Sequence, residues 1–134
     1  MPKARRVTTG GIDQDGRIQT SLYAWQAITA VDPDTTGRYA EDTSTGVAPL
    51  AVRQESDDRT WLRGRSAVTT GTSSGHVVAA LPTGHAPTHS QLLSVPTTGG
   101  IAAPCEIMTT GDIVVRRTQS GAFSLSFDGL SYVR

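Results

Sequence analysis

The sequence predicts an all-β fold, an antiparallel sandwich of two sheets and roughly eight or nine strands behind an extended N-terminal arm. Three observations predict it. No window sustains apolar residues at helical spacing. Thr-Thr-Gly recurs at 8–10, 35–37, 69–71, 97–99 and 109–111, uneven punctuation of the kind that separates strands. Phe123, Leu125 and Phe127 alternate with Ala122, Ser124 and Ser126, the two-residue period of a half-buried strand.

The chain has 134 residues, enough for one domain with a real core. The expected division is an anchoring arm at 1–20 and a β-sandwich head at 21–134. The arm is polar, glycine-rich and aperiodic. Such a segment becomes ordered only where it docks, so it is expected to clamp a neighbouring subunit or assembly, with Lys3, Arg5 and Arg6 as its basic anchor. No apolar run follows those cations, so neither a secretory signal nor membrane insertion is expected, and the chain is expected to fold in cytoplasm.

Strands are expected over residues 22–31, 47–54, 59–68, 76–81, 90–95, 101–109, 112–118, 122–127 and 130–133, with turn residues between them. The tetrad Glu55-Ser56-Asp57-Asp58 turns a hairpin between 47–54 and 59–68. Residues 110–111 join the next pair, and Asp128-Gly129 is a strong hairpin dipeptide before the last strand. At the centre, 76–81 and 90–95 carry the most apolar pair of runs, VVAAL and LLSV, and read as a core hairpin. Pro82, Gly84 and Pro87 hold the loop between them as a rigid corner, because the prolines lack an N–H and Gly84 takes backbone angles other residues resist.

Twelve basic and twelve acidic side chains cancel, so no global field points to nucleic acid or to an anionic membrane. Charged residues are only 18% of the chain, which implies that some surface is covered by copies of itself. Arg63, Arg65, Arg116 and Arg117 could pair across subunits with Asp57, Asp58 and Asp112, or remain solvated. Cys105 is the sole cysteine and reads as a small buried residue.

Chemistry is sparse. The acids Asp32, Asp34, Glu41 and Asp42 lack the later ligands of a calcium loop. His76, His85, His89 and Cys105 lack a second close ligand pair for zinc. No GxSxG elbow is present; the adjacent acids Asp57 and Asp58 read as a solvated turn, and nothing in the sequence places Glu106 beside Asp128 for hydrolysis. No catalytic residue, metal or cofactor is therefore expected. Trp61 is different: if Leu62 faces the core, Trp61 shares the opposite strand face with Arg63 and Arg65 and meets solvent, a ligand or a neighbour. Packing in the core is the alternative.

Three segments carry a resemblance: Trp61-Leu62-Arg63-Gly64-Arg65, then Leu81-Pro82-Thr83-Gly84-His85-Ala86-Pro87, then Ser126-Phe127-Asp128-Gly129-Leu130-Ser131-Tyr132. In this order they resemble the head domain of bacteriophage tail-fibre and baseplate receptor-binding proteins, with His85 where that family commonly has Tyr. The resemblance spans roughly residues 22–134. It implies a jelly-roll-like β-sandwich, assembled as a homotrimer, that sits on the surface of a virion, contacts other virion proteins and takes up host cell-surface polysaccharide. Trp61, Arg63, Arg65 and His85 are the candidate ligand-binding residues. The roughly twenty residues before the head hold no heptads, collagen repeat or β-spiral, so the knob is expected close to the particle, and a capsid decoration protein with no receptor is the main alternative. A stand-alone lectin-like module is the third.

Overall fold

The computed structural model describes residues 24–32, 35–56 and 58–134. The arm at 1–20, with Lys3, Arg5 and Arg6, lies outside the described residues, as do Asp34 and Asp57.

Twelve short strands and no helix make up the described chain. They are β1 (Gln26–Ala27), β2 (Thr29–Ala30), β3 (Tyr39–Glu41), β4 (Ala51–Ser56), β5 (Arg59–Arg63) and β6 (Arg65–Val68), then β7 (Val77–Ala80), β8 (Gln91–Val95), β9 (Ala103–Ile107), β10 (Asp112–Val115), β11 (Phe123–Ser126) and β12 (Ser131–Val133). All pair antiparallel, in three sheets ordered β1-β4-β5-β12, β2-β7-β10-β9-β8 and β11-β6-β3. One buried cluster draws on every sheet: Val52, Leu62 and Tyr132 from the first, Val78, Ile107, Ile113 and Val115 from the second, Tyr39, Val68, Phe123 and Leu125 from the third. Removing such apolar surface from water is what holds the layers together, at about 1.5–3 kcal/mol for each large side chain.

The expected hairpins 47–54 with 59–68 and 101–109 with 112–118 form, as β4 with β5 and β9 with β10. The expected inward trio is buried too, Phe123, Leu125 and Phe127 facing the core from β11 and its end. The division into nine strands and two sheets is corrected. β3 was not read from the sequence, and two of the long strands each break where the chain changes sheet.

One break lies at Ile28, between β1, which pairs with β4, and β2, which pairs with β7. Ile28 is buried there and donates its N–H to the Leu50 carbonyl at 3.1 Å. The other lies at Gly64, between β5 and β6. Gly64 has φ +94°, and a Cβ on it would stand 2.4 Å from Leu50 Cα, so only glycine fits this turn. Beside it the chain makes the same passage in the opposite direction, from β11 to β12. Phe127 N–H bonds to Gly64 O at 2.9 Å, Leu62 N–H to Leu130 O at 2.8 Å, and Gly64 N–H to the Asp128 carboxylate at 2.7 Å. Two antiparallel segments thus fold over one corner together, the usual way for strands to pass between layers.

That corner corrects the expected Asp128-Gly129 hairpin. β11 pairs with β6 and β12 with β5, so the dipeptide turns the chain between sheets instead of reversing it within one.

The central hairpin is corrected as well. β7 and β8 share a sheet but not an edge: β7 lies between β2 and β10, and β8 pairs with β9 at the sheet's border. The chain leaves β7, crosses the width of two strands, and returns through β8, β9 and β10 to lie beside β7. This is a Greek key, and residues 81–90 are its long connection. The loop does hold a corner: Gly84 takes φ +92° and His85 N–H closes a turn on Pro82 O at 3.2 Å. Apolar composition marks β7 and β8 as strands but carries no information about which strand each one faces. Leu92, at 66% exposure, faces out from β8, while Leu93 and Val95 turn toward the core.

Candidate functional site

In β5, Thr60 and Leu62 point into the core, which leaves Arg59, Trp61 and Arg63 on the outer face. Val52 and Gln54 of β4 are buried likewise, and Arg53 between them points out, directly opposite Trp61 in the ladder. On the other flank of β5, Ser131 stands opposite Trp61 and Val133 opposite Arg59. Trp25, just before β1, completes the face. The Arg63 guanidinium carbon sits 4.1 Å from the centre of its ring and that of Arg53 5.4 Å. These are cation–π distances, each worth about 0.5–2 kcal/mol according to how far water is excluded.

The electrostatics of the face are one-sided. Among the described residues the ion pairs are Arg65 with Asp128 at 3.8 Å and Arg116 with Glu106 at 2.8 Å, both elsewhere. Arg53, Arg59 and Arg63 have no carboxylate partner there, and Glu55, beyond an irregularity in the β4–β5 ladder, makes no ion pair. Arg59 instead donates to Ser131 Oγ at 2.8 Å. Trp61 Nε1, Arg53 Nε and Arg63 Nε are covered and have no acceptor. Arg65 Nε and Arg117 Nε, away from this face, are covered in the same way.

Of the four candidate residues, the structure brings Trp61 and Arg63 together, both half-buried, with Leu62 facing the core. Arg65 is separated from them by the break at Gly64; it belongs to β6 in another sheet and is engaged by Asp128. His85 is corrected outright. Its side chain is entirely buried, offers nothing to an outside ligand, and has no hydrogen-bond partner at either ring nitrogen. Its position is architectural. The Tyr132 hydroxyl donates to the His85 carbonyl at 2.5 Å, tying the long connection to the last strand. Burial, with the Arg134 charge as a lesser cause, holds the imidazole pKa below its ordinary value.

Trp25 and Arg53 were not picked out from the sequence. The signal that would find them is register: Arg53 reaches Trp61 only because Gln54 pairs with Thr60 and Val52 with Leu62. The other candidate donors serve the backbone or are shut away. Asp32 accepts from the Gly37 and Arg38 N–H groups, Glu41 from Leu50 N–H and Asp42 from Ser44 N–H. His76 bonds Tyr39 Oη at 2.9 Å and His89 is exposed beside Thr88. The Cys105 thiol is pushed up to about 12 by burial, which leaves it unreactive at neutral pH. Of the acids considered for pairing across subunits, Asp58 accepts from Ser56 Oγ and Asp112 from Thr110 Oγ1.

No protein-family model, curated protein or solved structure matches this chain.

Proposed function

We propose that this chain is a structural protein of a bacteriophage particle, a homotrimeric, jelly-roll-like knob held to its neighbours by the arm at 1–20 and attaching the virion to host cell-surface glycan. The observation that carries the reading is the outer face of the β1-β4-β5-β12 sheet, where two indoles and three arginines stand without acidic partners among the described residues. A sugar ring needs a flat apolar surface for its C–H groups and donors at the edge for its hydroxyls, and this face supplies both. The resemblance of the three segments at 61–65, 81–87 and 126–132 supports the virion context. They also adjoin one another in the fold, through Gly64 with Asp128 and His85 with Tyr132. A trimer presents three such faces, so weak single sites add up through effective concentration.

A second reading is favoured by Leu92 and Ile101, apolar side chains left exposed by β8 and by the turn after it. They suit contact with a neighbouring protein, as in a decoration protein that braces a capsid and binds no receptor. The purified full chain separates the two. An attachment protein runs at three times the monomer mass, binds host cells and blocks infection when added free. A brace leaves infection untouched and raises the temperature at which particles release their genome. A chain that stays monomeric and does neither overturns both readings.

A further inference from the structure

We infer that the Trp25–Arg53–Trp61–Arg63 face takes an anionic saccharide, one bearing carboxylate or phosphate, and not a neutral one. The inference rests on the glycan-attachment reading above and narrows its ligand.

The argument begins with where cations and acids sit. The chain is neutral, with acids equal in number to bases, so three arginines on two adjacent strands with no ion pair among the described residues, exposed Glu55 of β4 included, are not required by composition. Elsewhere Arg65 and Arg116 have carboxylate partners. Arg53, Arg59 and Arg63 project from two adjacent strands and have none among the described residues. Adjacent strands are about 4.8 Å apart and same-face neighbours along a strand about 6.8 Å, so three guanidinium groups gather within the span of one or two sugar rings. That is too small for a nucleic-acid track, which needs a longer run of phosphate contacts and a basic field that a neutral chain does not supply.

The tryptophans decide how the cations are held. Arg63 lies over the Trp25 ring at 4.1 Å, so the indole holds the guanidinium in place before any ligand arrives. An arginine so fixed loses less rotamer freedom when it grips a planar carboxylate or a phosphate. Half-buried Trp61, between Arg53 and Ser131 across the ladder, offers the apolar area for the ring itself. Arginines carry the charge recognition and Trp61 the ring contact.

The test is titration calorimetry of the full chain with an oligogalacturonate, the corresponding neutral oligogalactoside, a teichoic acid carrying phosphodiesters and a short single-stranded DNA. The expected result is binding of one or both anionic glycans at least about tenfold tighter than the neutral one, weakening as salt rises. Which of the two binds identifies carboxylate or phosphate as the anion. Arg63→Gln and Arg53→Gln should each remove most of that preference, and thermal melts of both variants should stay close to the parent, showing that the fold survives. Equal affinity for the neutral sugar, an unchanged preference in Arg63→Gln, or DNA binding as tight as either glycan overturns the inference while leaving attachment in place. Binding to no glycan of either kind, on these probes or on an array, removes the attachment reading together with it.

Discussion

Two regions share strand β5 and differ in how they use polar groups. At the corner, where β5 gives way to β6 and β11 to β12, donors find acceptors: Gly64 N–H meets Asp128, Phe127 N–H meets Gly64 O, and the Tyr132 hydroxyl meets His85 O. On the outer face, a few residues away, Trp61, Arg53 and Arg63 each bury a nitrogen that meets nothing. The corner is built to specify one path of the chain. The face gathers aromatic and cationic side chains that the fold does not tie to one another by hydrogen bonds. The buried His85 imidazole, Arg65 Nε and Ser66 Oγ are the corner's exceptions, enclosed without a hydrogen-bond partner.

If that contrast is right, the largest effects on stability come from the corner. Gly64→Ala forces a Cβ onto the Leu50 backbone at a φ that disfavours side chains, and should cost about 3 kcal/mol or more in chemical denaturation, or abolish soluble expression. A loss under about 1 kcal/mol would mean that the two segments do not turn together. Tyr132→Phe comes next. It strips the buried His85 carbonyl of this donor and should cost about 1–3 kcal/mol, with no change in any ligand binding at the outer face.

A pH titration sharpens the comparison further. The His85 pKa is lowered in the folded state, so the unfolded chain binds its proton more readily. The contribution is complete above the ordinary histidine value near 6.5 and declines as pH falls below it, because folding must then expel a proton. Asp42 is also lowered, by hydrogen bonds from Ser44, but its contribution fades only below its ordinary value of 3.8. Stability followed between pH 7 and 4.5 should therefore fall, and His85→Phe should flatten that fall without disturbing the acid limb. The smallest stability effect belongs to the face: Arg63→Gln gives up one cation–π contact and should shift unfolding by no more than about 1 kcal/mol.

Much of the fold is legible in the sequence. The inward trio Phe123, Leu125 and Phe127 and the hairpins β4–β5 and β9–β10 follow from two-residue periodicity and short turns, both of which are local. The same local reasoning failed for β7 with β8 and for β11 with β12. There a strong turn or an apolar pair is compatible either with reversing inside a sheet or with crossing to another strand. It also carried the outward run 61, 63, 65 straight through Gly64, where the chain changes sheet and Arg65 leaves for Asp128. Of the site, Trp61 and Arg63 were readable from alternation alone, while Trp25 and Arg53 required the register between strands.

The sequence by itself determined the β class and the turn positions, and reduced β5 to two possible inward faces, because side-chain alternation and the steric preferences of glycine and proline act over a few residues. Only the tertiary structure decided which strands are neighbours, that His85 lies inside, and that Trp25 stacks on Arg63. Those outcomes depend on pairings between residues far apart in the chain, and the winning pairing is set by burial of the core as a whole rather than by any one segment.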